Sequence, residues 1–326
     1  MKLFSYIALG IAAASLASCD AVYEDLDPCP TGVDLNFAFT RNILGTDAFL
    51  QKVHCTDVHV YNDQGMYMGT WSTVGSNHLR IDLPAGSYHA VAYGGMNCED
   101  ASFVYNDKMG TPHSYPNLTT SLKSSRAAMA SSSDLHPHFH AAADFVVEAE
   151  TDSHTGSTLD FTKNTNNIRV VFQYEDKSHI DPATFNYSVV ADNATMAHDN
   201  SIIAGNEVTY TPHATGTFTG IYMADSSDCE CAYADLTIGR LTSDMDARLK
   251  VNVNGQNMSV LDLDLVKYFN MIRANEMRTG DLQNYLDCQD TWTLLFMLDP
   301  NTNKVAGLVF KVNNWVVNLS NTSMDF

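Results

Sequence analysis

The sequence predicts an all-β protein: two β-rich domains in tandem with very little helix. Three observations carry that expectation. Charged residues make up only 17% of the chain, below the ~25% of ordinary soluble domains, while Thr, Val and Tyr abound, as they do in exposed sheet. Apolar and polar residues alternate with period two through most segments. Candidate strands also follow one another at short intervals with turn residues between them, the spacing of a sandwich or barrel. The 326 residues leave room for a core in each half. A formal charge of −20 repels phosphate backbones, so nucleic acid is not an expected partner.

Residues 1–18 read as a lipoprotein signal peptide. Lys2 is the only charge before Asp20, and Leu3–Ser18 is mostly apolar yet too short for a permanent span. Leu16-Ala17-Ser18-Cys19 places small residues directly before a cysteine, as at a bacterial lipoprotein cleavage site. Cys19 would then become the N-terminus and carry the lipid, which is expected to be the sole membrane attachment. Residues 19–32 form an acidic tether, closed by Pro28-Cys29-Pro30-Thr31-Gly32.

The first domain is expected over 33–152. Val33, Leu35, Phe37 and Phe39 share one parity and mark a half-buried strand. A second strand opens at Val58, turns at Asn62-Asp63-Gln64-Gly65 and returns through Met66–Trp71. His78–Leu83 alternates, Pro84-Ala85-Gly86 turns, and Ser87–Tyr93 runs on as a Tyr-rich strand. Asp100–His140, rich in Ser, Asn, Pro and His, shows no clear period, and Phe145-Val146-Val147 resumes the pattern. The polar stretch Thr151–Ser157 marks the boundary.

The second domain is expected over 153–326. Ile168, Val170, Phe172 and Tyr174 alternate, and further strands fit Asn186–Ala191, Glu207–Thr211, Ala232–Ile238, Arg248–Val253 and Leu261–Leu265. One helix interrupts, since Leu265, Tyr268, Phe269 and Ile272 form a stripe at helical spacing. Thr291–Leu298, Val305–Val312 and Trp315–Leu319 close the chain as strands, with Trp315 expected in the core.

Seven cysteines become six once Cys19 carries lipid, and an even number in an exported chain suggests disulfides, with Cys29, Cys55 and Cys98 as the candidates. Their connectivity is open. Cys229-Glu230-Cys231 is a C-x-C, awkward for a mutual disulfide because neighbours on a strand are expected on opposite faces. His136-Pro137-His138-Phe139-His140 is the one metal-like cluster, but Pro137 disturbs the strand and no carboxylate completes the set, so it reads as a solvated loop. Asp262 and Asp264 read as the wet face of a strand. No nucleophile elbow, zinc-protease motif, P-loop or dinucleotide fingerprint is present, and neither catalysis nor a cofactor is expected. Arg41, the first basic residue after the lipid site, is a candidate protease site directly after the first strand.

These residues resemble a family. Cys19-Asp20-Ala21-Val22-Tyr23-Glu24-Asp25-Leu26-Asp27-Pro28-Cys29-Pro30 is similar to the opening of the fimbrillin-associated anchor lipoproteins of Bacteroidota-type fimbriae. Leu83-Pro84-Ala85-Gly86-Ser87-Tyr88 with Val91-Ala92-Tyr93-Gly94, Gln283-Asn284-Tyr285-Leu286-Asp287 and Val312-Asn313-Asn314-Trp315 resemble its later motifs, in order. The histidine patch, the Ser-rich stretch and Cys288 depart from the pattern. The resemblance implies two transthyretin-like β-sandwiches and a non-catalytic outer-membrane lipoprotein. Such a protein seats a fimbrium at its base, supports its assembly, limits its length and binds the stalk (fimbrillin) subunit. Two rivals stay open: a fimbrial stalk or tip subunit cut after Arg41, and a surface glycan-binding lipoprotein using Trp71 and the tyrosines as stacking platforms.

Overall fold

The first strand shows how sequence becomes sheet. In β1 (Gly32–Ala38) Val33 and Leu35 are fully buried while Asn36 between them and Phe37 is exposed, so one face enters a core. The computed structural model describes residues 31–106, 117–123, 130–149, 154–222, 225–256, 258–275, 280–312 and 315–319. Cys19, Cys29 and the side chain of Trp315 lie outside the described residues.

After β1 come the short helix α1 (Phe49–Lys52), β2 (Cys55–Asn62), β3 (Tyr67–Val74), β4 (His78–Asp82), β5 (Gly86–Gly94), β6 (Phe103–Tyr105), β7 (Thr119–Leu122), β8 (Ala130–Ser131), β9 (Phe139–Val147), β10 (Thr155–Asp160) and β11 (Thr162–Lys163). The expected turn closes β2 onto β3: Asn62 Oδ1 accepts the N–H groups of Gln64 and Met66, and Gly65 takes φ 72. One sheet has the order β10-β1-β4 and a second the order β11-β9-β5-β2-β3. Between them lie Val33, Leu35, Phe37, Val58, Val60, Ala90, Phe139 and Phe161. β1 is the central strand of its sheet, parallel to β10 and antiparallel to β4.

The second half contains β12 (Asn166–Tyr174), β13 (Phe185–Asp192), β14 (Thr195–Ala197), β15 (Glu207–Tyr210), β16 (Ala214–Ile221), β17 (Asp228–Ile238), β18 (Arg248–Val253), β19 (Ser259–Asp264), helices α2 (Leu265–Asn275) and α3 (Leu282–Cys288), then β20 (Thr291–Leu298), β21 (Val305–Val312) and β22 (Trp315–Leu319). A six-stranded sheet, β16-β17-β12-β20-β21-β22, faces a five-stranded one, β19-β18-β13-β15-β8. The chain is all-β, two sandwiches in tandem. The expected helix is present as α2, with Leu265, Tyr268, Phe269 and Ile272 buried.

Four features differ from the sequence reading. β10 and β11 lie beyond Asp152, yet pair with β1 and β9, so strand pairing carries the first sandwich to Lys163. The unreadable stretch supplies β6 and β7, which join β14, and β8, which joins β15. The first half thus lends strands to the second, and their two to four residues are too short to show a period. α3 and β16 escape the pattern as well: α3 spans only seven residues, and β16 is an edge strand of Thr and Gly with little apolar alternation. Finally, Asp264 is not on a wet face. It is 8% exposed and accepts the Lys267 N–H at 3.0 Å, capping α2, whereas Asp262 pairs with Arg248 at 2.7 Å in the open.

Candidate functional site at the seam of the two sandwiches

The segment joining the sandwiches is buried. Phe161, Asn164, Thr165 and Asn166 are all at most 3% exposed, where an exposed linker would be polar and open. Buried amides must find partners inside the protein, and these do. Asn164 and Asn200 exchange side-chain amide hydrogen bonds at 2.7 and 3.0 Å. Asn166 donates to the Gly239 carbonyl at 3.2 Å and accepts the Trp292 indole N–H at 3.1 Å.

The histidine patch belongs to this seam, which overturns its reading as a solvated loop. Pro137 offers no N–H, so β9 starts after it, and alternation then sends Phe139 into the first core and His138 and His140 toward the second sandwich. His138 is 1% and His140 6% exposed. Asn164 donates to His138 Nδ1 at 3.1 Å, which leaves the ring proton on Nε2; His140 Nε2 donates to the His198 carbonyl at 2.7 Å. Gly95, at φ 84, lets the backbone pass Pro137, because a Cβ there would sit 2.0 Å from the Pro137 carbonyl oxygen. Desolvation by burial depresses the imidazoles, His138 to about 3 and His140 to about 4, with the Arg240 charge acting in the same direction. His59 on β2, its Nδ1 2.7 Å from the Thr70 hydroxyl, is held at about 4 by the same desolvation. His136 is only half-buried. The three histidines of the patch do not converge, and no group of three His, Cys, Asp or Glu among the described residues is placed to hold a metal ion.

A second set closes the seam from the C-terminal side. Arg240 Nη1 donates to Asn164 Oδ1 at 3.2 Å and meets Asp287 Oδ1 at 2.9 Å, with both side chains about a tenth exposed, at 10% and 11%. Gln283 Nε2 holds Asp287 at 2.9 Å, while its Oε1 accepts the Ser243 N–H. Tyr285 packs edge-on against Trp292, and Trp292 stacks on Phe269 at 3.8 Å. The Gln-x-Tyr-Leu-Asp motif therefore has a physical role: Gln283 and Asp287 bind the Arg240 loop, and Tyr285 and Leu286 bury against the core. Beside the seam opens a cleft of about 450 Å³ lined by Asp134, Pro137, Lys163, Arg169, His213 and Asp235. Its cations are already held, Lys163 by Asp290 at 2.6 Å and Arg169 by Asp235 at 2.7 Å.

Of the other sequence candidates, Cys55 and Cys98 form a disulfide with Cα atoms 5.9 Å apart, so neither is available to Cys29. Cys229 and Cys231 lie on the same face of β17, contrary to the sequence expectation, because residues two apart on a strand share a face. Arg41 is exposed at its tip and reaches Thr162 Oγ1 at 3.3 Å and Asp160 at 3.9 Å. Its loop is held by Asn42, whose amide donates to the Phe39 and Thr46 carbonyls. Trp71 packs against the first core, and a Cβ on Gly69 would come within 2.7 Å of its ring. It is half-buried and lines the sandwich. No described helix is long and apolar enough to cross a membrane.

The seam has no counterpart among the sequence motifs of catalysis, and its network joins two bodies mechanically. The chain is similar over 90% of its length to 99% of a candidate adhesin from Bacteroides thetaiotaomicron, at 29% identity and a TM-score of 0.80. A candidate polysaccharide-binding protein from the same organism aligns at 21% identity and TM-score 0.75, over 89% of this chain and 98% of that one. The fimbrial anchor protein Mfa2 from Porphyromonas gingivalis aligns at 17% identity and TM-score 0.64, over 89% of this chain and 99% of that one. Among curated proteins none matches. Residues 26–321 match the model of the fimbrillin-A associated anchor proteins Mfa1 and Mfa2, and the chain belongs to that family.

Proposed function

We propose that this protein is the lipidated base of a fimbrium: Cys19 holds it in the outer membrane, its sandwiches receive the fimbrillin stalk subunit, and its presence limits fimbrial length. The observation that carries the reading is the seam. An anchor transmits pulling force from its far end to its lipid, and a buried linker fixed by Asn164, Asn166 and the Arg240–Asp287 pair keeps the two sandwiches from parting under load. Family membership and the central position of β1, paired on both edges, support the same reading. A subunit cut after Arg41 would have to lose that central strand.

Processing tests it. Mature protein from membranes is expected to begin at a lipid-modified Cys19, and Cys19→Ala is expected to move the chain into the soluble fraction, since no other apolar anchor is expected. A mature N-terminus at Asn42 would overturn the anchor reading in favour of the subunit.

The stalk contact belongs on the second sandwich. β16 pairs with β17 on one side, and among the described residues its other edge has no partner strand; Phe218 and Ile221 on it are 40% and 60% exposed. An open edge with exposed apolar side chains is where an incoming strand adds. The double substitution Phe218→Asp/Ile221→Asp is expected to weaken stalk capture by roughly tenfold or more, about 1.4 kcal/mol, with little change in melting temperature. Because the first half lends β6, β7 and β8 to the second, the pull-down uses the full chain. Undiminished capture places the contact elsewhere.

A further inference from the structure

The cleft beside the seam has a lining that anchoring does not use. Its floor is the outer face of the six-stranded sheet, where β17, β12 and β20 run side by side. Ile168, Leu236 and Trp292 turn into the main core, so their chain neighbours face outward. Strand register sets those neighbours in two polar rows, Asp235, Arg169 and Thr293 in one and Thr237, Asn167 and Thr291 in the next. Asn167, Arg169, Thr291 and Thr293 are exposed. One row further along, the same face is apolar and closed, with Val171 4% and Leu295 6% exposed. Asp134 and Pro137 before β9 and Lys163 of β11 line the cleft as well, so both halves of the chain build it.

The basic side chains of the cleft each face a carboxylate. Arg169 binds Asp235 through Nε and Nη2, both at 2.7 Å, and its guanidinium is fixed 4.9 Å over the Tyr233 ring. Lys163 Nζ meets Asp290 at 2.6 Å, and His213 Nε2 lies 3.9 Å from Asp134. A lining so balanced gives a phosphate or other anion no net attraction. Arg169 Nη1 lies outside its ion pair. Asn167 turns Oδ1 to the Thr237 hydroxyl at 3.3 Å, which leaves Nδ2 as a donor. The backbone offers a ligand nothing, because β12 is paired on both edges, so an extended peptide finds no free strand to join. The volume of about 450 Å³ falls within the ~300–1,000 Å³ of small-molecule sites. A small pocket floored by short donors and acceptors with their charges cancelled suits a neutral ligand covered in hydroxyls.

We infer that this cleft binds a short neutral oligosaccharide, whose hydroxyls take Arg169 Nη1, Asn167 Nδ2 and the Thr293 hydroxyl as partners, with Pro137 as an apolar wall. The inference rests on the lining of the cleft and is independent of the anchor reading. The cleft binds and does not cleave. Because both halves of the chain contribute to it, a bound sugar also stabilises the folded chain, by an amount that grows with its concentration.

The test screens the full chain against an array of neutral oligosaccharides of glucose, mannose, galactose and xylose, with uronic-acid oligosaccharides alongside, and titrates the sugars that bind by calorimetry. Saturable binding of a neutral oligosaccharide is expected, with a rise in melting temperature as its concentration increases. Asn167→Ala/Thr293→Ala changes two exposed side chains, so it is expected to keep the parent's melting temperature without sugar and to weaken binding roughly tenfold or more. Phe218→Asp/Ile221→Asp, outside the cleft lining, is expected to bind sugar as the parent does, which keeps this result separate from that of stalk capture. No saturable binding of any neutral oligosaccharide, binding of the acidic ones alone, or affinity unchanged in Asn167→Ala/Thr293→Ala would each overturn the site.

Discussion

Asp287→Ala is expected to lower the unfolding free energy by ~3–5 kcal/mol, the range found when one partner of a buried ion pair is removed. The loss comes less from the missing attraction than from what remains. Arg240, 8% exposed as a residue, would keep its charge in a site where Asp287 Oδ1 at 2.9 Å is its carboxylate partner. Gln283 would lose its acceptor at 2.9 Å in the same step. A double change that removes both charges, Arg240→Met with Asp287→Leu, is expected to recover much of the stability, because no charge is then left buried alone. Denaturant titration of the parent, the single variant and the double variant decides it. A single variant within about 1 kcal/mol of the parent would mean that the seam is not under electrostatic constraint.

The second large effect is on pH dependence. Burial holds His138 at about 3 and His140 and His59 at about 4, whereas an unfolded chain titrates its histidines near ~6.5. Below that pH the unfolded state binds the extra protons, so stability falls as pH falls, over a window from ~6.5 down to about 4, and is flat with respect to these groups above ~7. Each imidazole contributes ~1.4 kcal/mol per pH unit within the window, so His138 and His140 together cost about 4 kcal/mol between pH ~6.5 and ~5. Carboxylates held low by partners, such as Asp34 beside Arg80 and Asp225 beside Lys177, add acid sensitivity only below that window. Unfolding titrations at pH 7 and pH 5 measure the drop, and His138→Gln should reduce the slope by roughly 1.4 kcal/mol per unit. Equal stability at the two pH values would mean that water reaches these rings. The acid-weakened element would be the seam, since His138 and His140 hold the linker and the His198 loop.

Both effects sit on residues that the sequence shows without explaining. The histidine patch stands out in the chain, but its burial follows from two sandwiches meeting over it, and nothing local announces that contact. Asp287 is visible inside a short motif, whereas its partner Arg240 lies 47 positions upstream on another element, and pairing at that separation is set only by how α3 packs. Asn164 and Asn166 look like ordinary turn residues. In the structure they are buried, hydrogen-bonded amides, because a linker buried between two bodies must satisfy its polar groups within the protein.

The sequence by itself determined the longer, half-buried strands, through alternation that puts Val33, Leu35 and Phe37 or Ile168, Val170 and Phe172 on one face, and the helix α2, through its apolar stripe. Those signals are local, since period follows from backbone geometry alone. It also carried the family motifs in their order along the chain. Tertiary structure alone decided that β10 and β11 complete the first sandwich, that β6, β7 and β8 are lent to the second, that Cys55 joins Cys98, and that Cys229 and Cys231 stand side by side. Strand partners, disulfide partners and buried polar partners depend on which distant segments meet, and the energy of each contact lies in the desolvation and hydrogen bonding of the pair, which neither residue carries when read alone.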